Sequence, residues 1–119
     1  VLSMPKSTDE EKSARKEAMQ KALKEATIVP YQMMEEAAKT LVVLNKAMGH
    51  SNPNAVSDLG VGALGLKAAM QGAWLNVKIN LGSIKDEAFV AEYAEKGEKL
   101  LKENMQFADD LYNAVEEQL

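Results

Sequence analysis

Three polar side chains, Asp58, Asn76 and Asn80, stand in a stretch of this chain that is otherwise almost free of charge. The segment 52–82, NPNAVSDLGVGALGLKAAMQGAWLNVKINLG, carries only Asp58, Lys67 and Lys78 as charged residues. Steps of three or four residues link Asp58, Gly62, Gly65, Ala69, Gly72 or Ala73, Asn76 and Asn80, so they share one face of a helix. That face is a groove of small residues with a carboxylate at one end and two carboxamides at the other. A carboxylate in a first helical turn is favoured in its ionised form by the helix dipole, which suits charge stabilisation better than acid catalysis. Two amides one turn apart on an apolar helix must find partners if they are buried. A small-residue stripe lets a flat ligand or another backbone come close. Plain helix–helix packing, with Asp58 serving the dipole alone, reads equally well from the pattern.

The element that must hold these groups is a helix. A continuous apolar pattern of about 25 residues is far too long for a strand. Glycine disfavours a helix interior by roughly 1 kcal/mol against alanine, so four glycines there require close packing or ligand approach. Leu59, Leu66, Met70, Trp74, Leu75 and Val77 cover the remaining circumference, and the segment is expected to be buried and surrounded by the rest of the chain. Lys67, Gln71, Asn76, Lys78 and Asn80 interrupt any run of about 20 apolar residues, so no membrane span is expected. Gly60, Gly62 and Gly65 match the letters of a dinucleotide fingerprint, but no strand precedes them and the match is set aside.

Charged, amphipathic helices flank this segment. After an irregular lead-in over 1–7, Thr8 and Glu11 have the form of a capping box. Ala14, Ala18, Ala22 and Ala26 then mark a narrow helical face. Pro30 implies either a kinked continuous helix or two helices. Beyond it, Met34, Ala37, Ala38, Leu41, Val42, Asn45 and Met48 form an apolar face that Gly49 closes. His50 falls in the following loop, with a turn at Asn52-Pro53-Asn54. After Gly82, Ser83-Ile84-Lys85-Asp86 reads as a second capping box with Ser83 as N-cap. A last helix from about Lys85 buries Phe89, Val90, Tyr93, Gly97, Leu100, Leu101, Met105, Ala108, Leu111, Tyr112 and Val115. The fold class is all-α, an antiparallel array of three to four long helices around a buried Gly/Ala-rich central helix. The last helix, reaching roughly 50 Å at its rise per residue, is longer than a compact domain of this size needs and implies a partner, either more of its own chain or another subunit.

Composition narrows the function classes. The chain has 119 residues, no cysteine and one histidine, which removes disulfides, cysteine metal sites and multi-histidine zinc sites; no metal is expected. A net charge of −4 argues against nucleic acid as a partner. No signal or transit pattern is visible, and the cytoplasm is the expected compartment. The chain starts Val-Leu-Ser, and helical patterning begins within ten residues, as in a piece of a longer protein.

Three blocks of residues resemble one known family. They are 52–58 (NPNAVSD), 72–81 (GAWLNVKINL) and 84–86 (IKD), and the polar helix from Thr8 to Pro30 adds an Ala-Thr-x-Val-Pro ending. Together they are similar to the formimidoyltetrahydrofolate cyclodeaminase / methenyltetrahydrofolate cyclohydrolase family, over nearly the whole chain and most densely over 57–86. Domains of that family normally begin upstream of the position of Thr8, with a Pro-Gly-Gly-Gly-Ser turn that this chain lacks. The resemblance therefore implies that 1–119 is the C-terminal portion of the helical domain. It also implies a folate-dependent one-carbon enzyme, typically a homodimer, with a tetrahydrofolate derivative as substrate. In cyclodeamination the folate N10 attacks the formimino carbon of 5-formimidoyltetrahydrofolate, and ammonia leaves to give 5,10-methenyltetrahydrofolate. In cyclohydrolysis water attacks the cationic methenyl carbon to give 10-formyltetrahydrofolate. Carried onto this chain, Asp58 is the catalytic carboxylate facing the cation or acting as base. Asn76 and Asn80 bind the pterin or orient water, with Ser57 supporting them. The alternative from the same residues is a non-catalytic dimerisation or scaffold module derived from that domain.

Overall fold

The computed structural model describes residues Met4, 8–50, Asn52 and 55–119. The lead-in over 1–7, apart from Met4, and the turn residues Pro53 and Asn54 lie outside the described residues. Three helices account for nearly all the rest: α1 (Asp9–Ala47), α2 (Val56–Leu81) and α3 (Glu87–Glu117). No strand is present among the described residues.

Helix α1 starts where its cap residues place it. Thr8 Oγ1 accepts the backbone N–H of Glu11 at 3.0 Å, and Asp9, Glu10 and Glu11 put negative charge in the first turn, where the dipole favours it. The helix then runs 39 residues through Pro30 without a break, about 58 Å at the standard rise. Of the two readings of Pro30, the continuous helix is correct. Proline leaves the carbonyl four residues earlier without its helical donor, here that of Ala26. Asn80 of α2 supplies the missing donor: its Nδ2 reaches the Ala26 carbonyl at 2.9 Å. Tertiary contact thus completes a bond that the helix itself cannot make.

The buried face of α1 is Thr27, Pro30, Met34, Ala37 and Leu41. Val42 and Asn45 do not join it; both are exposed, because the seam against α2 drifts toward Leu44 and Met48. Gly49 follows the cap residue Met48 as expected, but no described glycine has a positive φ. The N-cap of helix α3 lies three residues later than proposed. Asp86 is the N-cap and accepts the Phe89 N–H at 3.1 Å. Ile84, inside the supposed capping box, is instead buried in the core.

The core runs along α2, where Met70, Ala73, Trp74, Val77 and Leu81 meet Met34, Ala37 and Leu41 of α1 and Ala108 and Leu111 of α3. Two glycines set the α2–α3 approach. A Cβ at Gly97 would overlap the Trp74 ring, and one at Gly60 would come within 3.0 Å of Val115 Cγ1. Lys67, one of the few charges on α2, pairs with Asp109 of α3 at 2.7 Å. Along the α1–α3 seam, Tyr31 stands edge-on to Tyr93 with centroids 5.4 Å apart. Lys96 Nζ lies 3.9 Å from the Tyr93 ring centroid, a cation–π arrangement.

One expectation fails. Helix α2 lies between α1 and α3, but the chain does not surround it. The molecule measures 67 × 25 × 16 Å, a slab rather than a globule. Only two long helices, α1 and α3, pack on the middle one, and one side of it remains open. On that side Val61, Leu75 and Ile79 are 68%, 68% and 73% exposed. Leu75, expected in the core, is therefore a surface residue.

Candidate functional site

The polar residues singled out by spacing all lie on α2, at its two ends. Ser57 and Asp58 occupy the first turn, and both side chains are exposed. The N-cap residue Ala55 offers no side-chain cap, so Asp58 is the only acid set against the positive end of the dipole in that turn. Asp58 makes no hydrogen bond or ion pair among the described residues. Asn76, toward the other end, is also exposed. At the helical rise, Asp58 and Asn76 stand about 27 Å apart along the axis. They share a face, as the periodicity requires, but no single copy brings them to one reacting carbon.

Asn80 differs from the other three. Its carboxamide is committed to the Ala26 carbonyl, which gives it a structural role that spacing on α2 alone does not reveal. The clue in the sequence was Pro30, since a proline inside a helix always leaves a carbonyl to be satisfied.

Between the ends, the small-residue face borders a groove. Val29, Gln32, Met33, Glu36, Ala37 and Thr40 of α1, with Leu66 and Ala69 of α2, line a space of about 450 Å³. Cavities of this size can hold a small molecule. Its walls are mostly aliphatic. Of its polar members, Thr40 bonds the Glu36 carbonyl at 2.9 Å and Glu36 pairs with Lys39 at 3.2 Å. A Cβ at Gly65 or Gly72 would meet nothing within 4 Å. These two glycines are not required by packing within the chain, in contrast to Gly60 and Gly97.

Among the described residues no group of three His, Cys, Asp or Glu side chains converges. No described helix is long and apolar enough to cross a membrane. A feature without a local sequence signature lies at the α2–α3 connection, beyond the C-terminal end of α2. Gln20 ties α1 to the α2–α3 connection, donating to the Ser83 carbonyl at 3.1 Å and accepting the Lys85 N–H at 2.8 Å. Lys24 adds an ion pair to Asp86 at 2.7 Å. Nothing in the local pattern around Gln20 marks it, because its partners are more than 60 residues away.

Comparison with known proteins places these observations. The chain is 41% identical over 106 residues to a formimidoyltransferase-cyclodeaminase of Gallus gallus, covering 89% of this chain and 20% of that protein. It is 36% identical over 112 residues to a methenyltetrahydrofolate cyclohydrolase of Methylorubrum extorquens, covering 94% of this chain and 54% of the relative. A formimidoyltransferase-cyclodeaminase of Sus scrofa is 35% identical over 103 residues. The chain thus spans about half the length of the cyclohydrolase and about a fifth of the longer relatives. The sequence profile of the formiminotransferase-cyclodeaminase family matches residues 1–99, and the chain belongs to that family.

Proposed function

We propose that this chain acts on the one-carbon unit of tetrahydrofolate. It either closes 5-formimidoyltetrahydrofolate to 5,10-methenyltetrahydrofolate with loss of ammonia, or hydrolyses the methenyl compound to 10-formyltetrahydrofolate. The observation that carries this reading is similarity along nearly the whole chain to relatives named for each activity. Both reactions pass through a delocalised cation, and Asp58 is the carboxylate offered to it, with Ser57 beside it. Asn76 hydrogen-bonds the pterin or orients water. Asn80 serves indirectly, by fixing α2 against α1.

The roughly 27 Å between Asp58 and Asn76 is bridged by a second copy. In a two-fold pairing of open α2 sides, antiparallel and centred at the level of residue 67, Asp58 of each protomer faces the partner's Asn76. With the exposed Val29 and Met33 of α1 beside α2, the open side is about 39 Å long and two helices, about 20 Å, wide. Its area of about 800 Å² matches what each partner contributes to a standard interface. Pairing also covers Val61, Leu75 and Ile79, and it gives Gly65 and Gly72 a close neighbour.

One observation favours the second reading, a dimerisation or scaffold module without catalysis: among the described residues no hydrogen bond or ion pair holds the Asp58 side chain in place. Thermal unfolding of the purified chain with 5-formyltetrahydrofolate, a stable analogue, separates the two. At a hundredfold excess over Kd, a ligand that binds only the native state stabilises it by about 2.7 kcal/mol. A rise of several degrees in Tm is expected. No rise at millimolar analogue, from a chain that still self-associates, would favour the scaffold.

A further inference from the structure

The cations of this chain are unevenly placed. It carries 14 Lys and Arg against 18 Asp and Glu, yet basic residues gather where the first half of α1 passes the α2–α3 connection. There a cleft of about 400 Å³ is lined by Lys12, Arg15, Lys16, Met19, Gln20 and Lys85, with no acid among them. An adjoining cleft shares Lys16, Gln20 and Lys85 and adds Lys21, Lys24 and one carboxylate, Glu17.

Three features distinguish this from an ordinary solvated face. Asp86, the neighbouring acid, is taken by Lys24, whereas Lys12, Arg15, Lys16 and Lys85 have no ion pair among the described residues. Arg15 Nε is buried and has no hydrogen-bond partner among the described residues, an arrangement that is costly unless an acceptor arrives. The backbone at Lys85 is held by the Gln20 carboxamide, so one cation is carried on a clamped loop. Cations in excess over the nearby carboxylates Glu17 and Asp86 favour an anion, and a guanidinium fork matches the geometry of carboxylate and phosphate.

We infer that this cleft is a binding site for a small multi-anion, a molecule bearing two or more carboxylate or phosphate groups. Arg15 makes the directional contact, and Lys12, Lys16 and Lys85 supply the charge. The site adjoins Ser83 and Lys85, beyond the C-terminal end of α2, and is remote from Asp58 in the first turn. It stands independently of the folate reading.

Calorimetric titration of the full chain with citrate and, separately, with pyrophosphate tests it at low salt. At least one probe should bind with one-to-one stoichiometry. Lys16→Gln with Lys85→Gln should weaken that binding by about tenfold, and the fold-preserving Arg15→Lys by about fivefold, as the loss of charged contacts to an anion predicts. Lys99→Gln with Lys102→Gln, on the exposed side of α3, should leave it unchanged. Preference for citrate identifies a polycarboxylate, and preference for pyrophosphate a phosphorylated ligand. No binding of either probe up to about 10 mM, where even affinities near 4 kcal/mol would register, overturns the inference. So does equal weakening by the α3 variant.

Discussion

Asn80 shows how a residue's meaning depends on what lies across from it. On α2 alone it reads as a ligand-binding amide, but its Nδ2 satisfies the Ala26 carbonyl that Pro30 leaves open. The account makes this a coupled pair. Asn80→Ala should cost about 1 kcal/mol, the net worth of a typical hydrogen bond, and lower Tm by a few degrees. With Pro30→Ala in the background, residue 30 regains its N–H and the helix can bond Ala26 itself. The cost of Asn80→Ala should then shrink toward zero, a double-mutant coupling measurable by urea unfolding. An unchanged cost would mean that Asn80 acts elsewhere. Asp58 and Asn76 are the reverse case: their side chains are unengaged among the described residues, so substitution should alter function more than stability.

At the scale of elements, much was legible. The length and period of 56–81 identify α2, and Thr8 with its three following acids fixes the start of α1. The failures have specific causes. Ser83 looked like an N-cap because the two capping boxes share a pattern, yet Ile84 is drawn into the core and Asp86 takes the cap. Leu75 looked like core because apolar character does not say which side of a helix its neighbours cover. Gly97 gave no sign that it admits the Trp74 ring. Asp86 also carries a pH prediction. The ion pair from Lys24 and then the Phe89 N–H hold its carboxyl below the usual range. A depressed folded value means that the contribution is present above the unfolded value, near 3.9, and is lost as pH falls through the lowered one. Asp86→Asn should therefore lower Tm at neutral pH, and its difference from the parent should shrink as pH falls through the depressed carboxyl range. A difference constant across that range would contradict the assignment.

The whole molecule is a slab with one apolar side open, a shape that the sequence hinted at only through the excess length of its last helix. Large open apolar sides on soluble proteins mark interaction surfaces. If copies pair through α2, Leu75→Glu, placed far from the α1 and α3 contacts, should raise the dimer dissociation constant by about tenfold or more, the scale of burying an unpaired charge. Analytical ultracentrifugation reads this directly. A parent chain that is monomeric at high micromolar concentration would remove the shared site and leave Asp58 and Asn76 unconnected.

The central claim is chemical, and the most direct test is turnover. The purified chain is offered 5,10-methenyltetrahydrofolate and 5-formimidoyltetrahydrofolate, and the methenyl chromophore is followed against the uncatalysed rate. The account predicts consumption or formation of that chromophore above background, with kcat/KM reduced at least about tenfold in Asp58→Asn and in Asn76→Ala. Turnover by the parent with both variants near normal would contradict the residue roles. No turnover of either substrate by a folded, dimeric chain would contradict the enzyme reading itself.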